Sequence, residues 1–135
     1  MKEILIDAEI KNLRTVTDFI NEQLEAHNCN PKAQIQIDIA VDEIFSNIAY
    51  YAYSSGTGSV KVTVEMTEDP CGVKIIFTDS GIPYNPLDTA EPDITLSIDE
   101  RKIGGLGIYM VRKTMDEMLY EYKDGQNILS IRKNI

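Results

Sequence analysis

The chain has 135 residues, is 43% hydrophobic and carries a formal charge of −9, a size that suits one domain with a real core. That acidity excludes a basic footprint for nucleic-acid phosphates and repels anionic membranes, so a phosphorylated ligand has to be held locally by metal and backbone groups. Its two cysteines, Cys29 and Cys71, have neither the paired spacing of a zinc site nor the density of a disulfide scaffold, and read as ordinary thiols.

The N-terminal MKEILIDAEIK has charges inside its only apolar run, which predicts neither a signal peptide nor a transmembrane span and makes the cytoplasm the default. Ile4 to Ile6 reads as a short strand. Leu13, Val16, Ile20 and Leu24 then recur at helical spacing up to Asn28, and Pro31 restarts the chain into a second helix. In that helix Ile37, Val41, Ile44, Ile48 and Ala52 make the core stripe, while Gln36, Glu43, Asn47 and Tyr50 fall on another face. Tyr50, Tyr51 and Tyr53 at its end read as packing residues that bury their rings and wet their hydroxyls.

After SSGTGS, the alternation of Val60, Val62, Val64 and Met66 predicts a strand, TEDPCG a turn and VKIIFTD a more buried strand. An irregular stretch follows from about 82 to 102. Leu106 to Met118 reads as a third helix burying Leu106, Met110, Met115 and Met118, and LYEY, DGQN and ILSIRK as strand, turn and strand. The economical architecture is an α+β two-layer sandwich, with helices on one face of a mainly antiparallel mixed sheet. The whole chain, 1–135, is then a single domain.

Three polar, glycine-marked islands stand out within this frame. Glu43 and Asn47, at i and i+4, project one carboxylate and one amide into the same space; the amide oxygen can ligate Mg²⁺ and the carboxylate can act as a base. By themselves they read as a solvated helix face. Asp79 in DSGIPYNP ends a buried strand, where its carboxylate can accept a hydrogen bond from an exocyclic amine such as that of adenine. Gly81 permits a backbone conformation or a close approach to a ring that a side chain forbids, and Pro83 and Pro86 stiffen the exit. Alone, this segment is an ordinary Asp-Ser-Gly turn. Gly104, Gly105 and Gly107 in GGLG sit before and within the first turn of a helix, where unpaired N–H groups and the dipole attract phosphate. Without a following Gly-Lys-Ser/Thr or a parallel βαβ unit, this is neither a P-loop nor a dinucleotide fingerprint.

Taken in order, Glu43-x-x-x-Asn47, Asp79-Ser-Gly81-x-Pro83-Tyr84-Asn85-Pro86 and Gly104-Gly105-Leu106-Gly107 resemble the N, G1 and G2 boxes of the gyrase, Hsp90, histidine-kinase and MutL ATPase superfamily. The compact length and the form of the second box narrow the resemblance to the stand-alone anti-sigma-factor serine/threonine kinases. The resemblance extends to the closing segment Asp124-Gly125-Gln126-Asn127. It implies a Bergerat-type sandwich that binds Mg·ATP under a lid at about 84–104. Glu43 would be the general base and Asn47 the Mg²⁺ ligand. Asp79 would anchor adenine, with Gly81 shaping the pocket and Tyr84 and Asn85 beside it. Gly104, Gly105, Leu106 and Gly107 would meet the phosphates.

The implied substrate is a serine or threonine of an anti-sigma-factor antagonist of the STAS fold. A sigma factor is the implied alternative partner and a homodimer the implied assembly, with no nucleic acid or membrane partner. A non-catalytic module using ATP only as a conformational ligand is the competing reading. Tyr51 stands where such kinases commonly carry histidine, and His27 is the chain's one histidine, on the first helix near its end. Arg101 and Lys102 are the basic candidates for touching the γ-phosphate.

Overall fold

The computed structural model describes residues 1–53, 58–68, 71–88 and 105–135, with backbone alone at 105 and 106. Strand β1 (Lys2–Asp7) leads through a 3-10 turn at Ile10–Asn12 into α1 (Leu13–Ala26) and α2 (Pro31–Tyr51). Next come β2 (Ser59–Thr67), β3 (Gly72–Asp79), a second 3-10 turn at Pro86–Asp88, α3 (Gly105–Thr114), β4 (Glu117–Lys123) and β5 (Gln126–Asn134). The lid expected at about 84–104 lies outside the described residues from 89 onward, and Gly104, Arg101 and Lys102 lie outside them too.

Local chemistry sets the helix boundaries. Asn28, at φ 56°, turns the chain left-handed after α1, and Cys29 N–H donates back to the Leu24 carbonyl at 3.0 Å, as in a helix-terminating turn. Two residues later Asn30 accepts from Ala33 N–H at 2.8 Å, and Pro31 occupies the first helical position, where its missing N–H costs nothing.

The five described strands pair in the order β1-β2-β3-β5-β4, every neighbour antiparallel. The expected mixed sheet is therefore wholly antiparallel in its described part, because hairpins supply the β2–β3 and β4–β5 connections. Inward residues Val60, Val62 and Val64 of β2, Val73, Ile75 and Phe77 of β3, and Leu129 and Ile131 of β5 meet Val16, Ile20 and Leu24 of α1 and Ile37, Val41, Ile44 and Phe45 of α2. Among the described residues no helix is long and apolar enough to cross a membrane.

The third helix ends earlier than its periodicity suggests. Met118 lies in β4 opposite Ile131, and among the described side chains of α3 Ile108 and Val111 are buried while Met110 is exposed; the Leu106 side chain lies outside the described ones. The segment after Thr114 carries two overlapping periods: Met115 and Met118 fit a helix, but Met118, Tyr120 and Tyr122 alternate as in a strand. Tertiary bonds decide between them. Asp116 N–H donates to the Arg132 carbonyl at 2.9 Å, its carboxylate accepts from Asn134 N–H at 2.7 Å, and Lys133 Nζ donates to the Thr114 carbonyl at 2.7 Å, which together pin the helix end to β5.

The tyrosines at the end of α2 divide. Tyr53 packs against the core, its hydroxyl donating to the Ser59 carbonyl at 2.6 Å and accepting from Ser80 N–H at 3.0 Å. Tyr50 and Tyr51 are 65% and 59% exposed, with ring centroids 6.2 Å apart, so the packing expected of them does not form.

Candidate nucleotide site

A cleft opens between α2, α3 and the ends of β3, β4 and β5. Its walls include Ile44 and Ile48 of α2, Ala52 at the C-cap of that helix, Ile108 of α3, Leu129 of β5 and Ile82 of the segment after β3, with Asn47, Asp79 and Asn127 as polar members and Tyr51 and Tyr84 at its exposed side. An apolar slot with a few convergent polar groups suits a flat heterocycle with defined hydrogen-bonding edges. Neither lysine nor arginine is among the described residues that line it.

At one end the carboxylate of Asp79, 5% exposed, is held by its own turn and by the neighbouring strand. Its Oδ1 accepts from Gly81 N–H at 2.9 Å and from Asn127 Nδ2 at 3.0 Å. Asn127 is its direct cross-strand partner in the β3–β5 register. No described residue donates to Oδ2, and Asp79 lines the cleft. One carboxylate oxygen thus serves the fold, and the other takes no part in those bonds.

Gly81 earns its place by close approach, and Gly125 is the one glycine at positive φ among the described residues. A Cβ at Gly81 would overlap the carbonyl of Ala52 at the end of α2, and the adjacent Ile82 N–H donates to that same carbonyl at 2.8 Å. The turn is therefore pressed onto a helix terminus whose backbone has no room to yield. Gly81→Ala should destabilise the protein by about 1–3 kcal/mol, read as a melting temperature lower by roughly 5 to 15 °C. An unchanged melting temperature would show that the turn and α2 separate easily.

Asn85, placed beside the base by the resemblance, closes its own turn, with Oδ1 accepting from Leu87 N–H at 2.9 Å. Tyr84 does reach the cleft, and its N–H donates to Asn127 Oδ1 at 3.1 Å.

At the other end Asn47 Nδ2 donates to Glu43 Oε1 at 3.2 Å, as the i, i+4 spacing predicts. Burial raises the Glu43 pKa above the ordinary carboxylate value; the Asn47 hydrogen bond opposes that shift, and the neighbouring Asp42 charge adds to it. The first turn of α3 meets this pair: a Cβ built on Gly107 would fall on the Glu43 carboxylate. Gly105 opens the same helix, Leu106 follows it, and Gly104 lies outside the described residues.

The close fit at Gly107 differs in kind from that at Gly81, because the obstructing group is the end of a flexible side chain. Gly107→Ala should leave the fold intact and raise or preserve the melting temperature, since alanine in a helix is favoured over glycine by about 0.5–1 kcal/mol. The displaced Glu43 carboxylate should nevertheless lower any Glu43-dependent reaction by roughly tenfold or more. Full activity in a folded Gly107→Ala protein would show that the carboxylate tolerates the shift.

Comparison with known proteins follows the same lines. A family model described as the histidine kinase-like ATPase domain matches residues 6–133. This chain belongs to the histidine kinase-like ATPase domain family. Within it, the chain is 26% identical over 101 residues to the serine/threonine-protein kinase BtrW of Bordetella bronchiseptica, covering 74% of this chain and 70% of that one. It is 25% identical over 95 residues to the serine-protein kinase RsbW of Bacillus mycoides, covering 67% of this chain and 58% of RsbW. The crystal structure of the RsbU and RsbW domains of Rv1364c from Mycobacterium tuberculosis superposes with a TM-score of 0.67 at 17% identity, over 99% of this chain and 32% of that one, and shows the shared fold. The chain thus spans less than two thirds of RsbW and about a third of the Mycobacterium protein. The resemblance stated from the three boxes is borne out at the level of the family.

Two cleft-lining residues were given no role from sequence. Asn127 and Tyr120 make contacts fixed by strand register and by the return of a distant turn, and no local spacing marks them. The Asp-Gly-Gln-Asn turn located Asn127 without showing what it would face.

Proposed function

We propose that the chain is a single ATP-dependent serine/threonine protein kinase domain whose substrate is a STAS-type anti-sigma-factor antagonist of a bacterial partner-switching module, with a sigma factor as the alternative partner. One observation carries this reading: a carboxylate of raised pKa, Glu43, is hydrogen-bonded to Asn47 of the cleft that Asp79 also lines, and lies against the first turn of a glycine-opened helix. A module that merely bound ATP would gain nothing from a partly desolvated carboxylate there, and such perturbed groups gather where chemistry is done. The kinase names of the relatives agree with it.

In this reading Asp79 Oδ2 accepts the exocyclic amine of adenine, with the ring between the apolar walls. The N–H groups opening α3 at Gly105, Leu106 and Gly107 receive phosphate oxygens, as a helix N-terminus does. Glu43 takes the proton from the acceptor hydroxyl, and its raised pKa makes it a stronger base than an exposed glutamate.

The donor set also fits Mg²⁺. Asn47 spends its amide nitrogen on Glu43, and its oxygen accepts from no described residue, leaving one neutral ligand. Mg²⁺ takes one or two protein oxygens and fills its shell with phosphates and water, supplying charge neutralisation that this cleft, acidic and without a described basic residue, does not supply itself. Homodimerisation and a cytoplasmic setting belong to the same proposal.

Mass spectrometry of candidate STAS-domain proteins after incubation with the protein and Mg·ATP tests the assignment. The expected result is one added phosphate on a serine or threonine. Association that depends on ATP while the partner stays unmodified would instead support the non-catalytic module.

A further inference from the structure

The cleft contains one polar side chain whose hydrogen-bonding capacity is used up by the protein itself. Asn127 is 6% exposed. Its Nδ2 donates to Asp79 Oδ1 at 3.0 Å and to the Ile82 carbonyl at 2.9 Å, with the Gly81 carbonyl at 3.5 Å, while its Oδ1 accepts from Tyr84 N–H at 3.1 Å and from the Tyr120 hydroxyl. An amide side chain has two N–H donors and two acceptor lone pairs, so none remains for a ligand. Its orientation is also dictated: exchanging nitrogen and oxygen would set the oxygen against a carboxylate and a carbonyl, and the amino group against a backbone N–H.

We propose that Asn127 is a positioning residue that sets base selectivity. By holding Asp79 Oδ1 inward, it fixes the plane of the carboxylate and presents Oδ2 to the cleft as an acceptor that cannot rotate away. Through Ile82 and Tyr84 it fixes the backbone of the segment that forms the cleft's rim. A fixed acceptor favours a base carrying an exocyclic amine and disfavours one carrying a carbonyl at the same place, because two acceptors then face each other without a proton between them. The inference rests on the nucleotide reading of the cleft and adds to it a residue that touches no ligand.

The test is the ratio of affinities for ATP and inosine triphosphate, which carries a carbonyl in place of the amine, measured by calorimetry on the full chain. The wild type should prefer ATP by at least about tenfold. Asn127→Ala should shrink that preference several-fold, chiefly by weakening ATP, because Asp79 Oδ1 then keeps only the Gly81 N–H bond and the carboxylate can turn about it. Asn127→Ser covers an alanine variant that fails to fold; a single short hydroxyl cannot span from Asp79 to Ile82 and Tyr84, so selectivity should fall there as well. A folded Asn127→Ala or Asn127→Ser protein with the wild-type ratio overturns the inference and leaves the nucleotide reading standing. A wild type that binds both nucleotides equally likewise overturns this inference alone, and one that binds neither overturns the nucleotide reading and this inference with it.

Discussion

Replacing Glu43 by glutamine is expected to lower phosphoryl transfer by about 10²-fold or more, the scale on which a positioned general base contributes, while ATP affinity changes by less than roughly threefold. The substitution keeps shape and volume and leaves an amide able to pair with Asn47, so the cleft should stay assembled. Its effect on stability runs opposite to its effect on activity. Burial raises the folded-state pKa of Glu43 above its unfolded value. The stability tied to its protonated form is therefore fully present below the unfolded pKa, near the ordinary carboxylate range, and is lost as pH rises through the folded pKa.

At neutral pH the ionised side chain costs stability, and glutamine removes that cost. The Glu43→Gln melting temperature should be equal to or a few degrees above wild type at pH 7, with the difference fading in acid. Transfer by the wild type should rise with pH along a limb lying above the ordinary carboxylate pKa, and the glutamine variant should lack that limb. Single-turnover kinetics and thermal melts across pH read both. A destabilised variant that retains transfer would reduce Glu43 to a packing residue.

The second large effect is expected at Asp79. In Asp79→Asn the two donors on Oδ1, Gly81 N–H and Asn127 Nδ2, require the new amide to keep its oxygen inward. Its amino group then occupies the position of Oδ2, and the cleft presents a donor where it presented an acceptor. Loss of a hydrogen bond to a charged acceptor is worth about 1.5–3 kcal/mol, so ATP affinity should fall roughly 10- to 100-fold. The nucleotide-free melting temperature should move little, because both internal hydrogen bonds survive. An affinity within about twofold of wild type would mean that the base is held elsewhere.

These two residues also show how far the sequence could be read. Glu43 and Asn47 are one helical turn apart, and Asp79 and Gly81 share one turn, so local spacing was enough to group them. The Gly107 contact with Glu43 joins two of the islands, and their order in the chain gave no distance. The roles of Asn127 and Tyr120 come from the pairing of β5 with β3 and β4, which places Asn127 opposite both Asp79 and Tyr122. Strand order is a long-range property that periodicity does not encode. Gly81 was read as permitting either a special backbone conformation or a close approach to a ring; the structure shows a close approach to the Ala52 carbonyl, visible only once α2 and β3 are packed together. The short α3 follows the same logic, since Met118 satisfied a helical and an alternating pattern equally, and the bonds of Asp116 to Arg132 and Asn134 and of Lys133 to Thr114 chose between them.

The claim on which the rest depends is transfer to a hydroxyl of another protein, and the chemical stability of the transferred phosphate tests it most directly. The protein is incubated with Mg·γ-labelled ATP and STAS-domain proteins encoded nearby, and the labelled product is exposed to acid and to alkali. The account predicts label on the partner that survives acid and maps to a serine or threonine. Label that is lost in acid, as from a phosphorylated histidine, or ATP bound and hydrolysed with no label on any STAS protein, would contradict it.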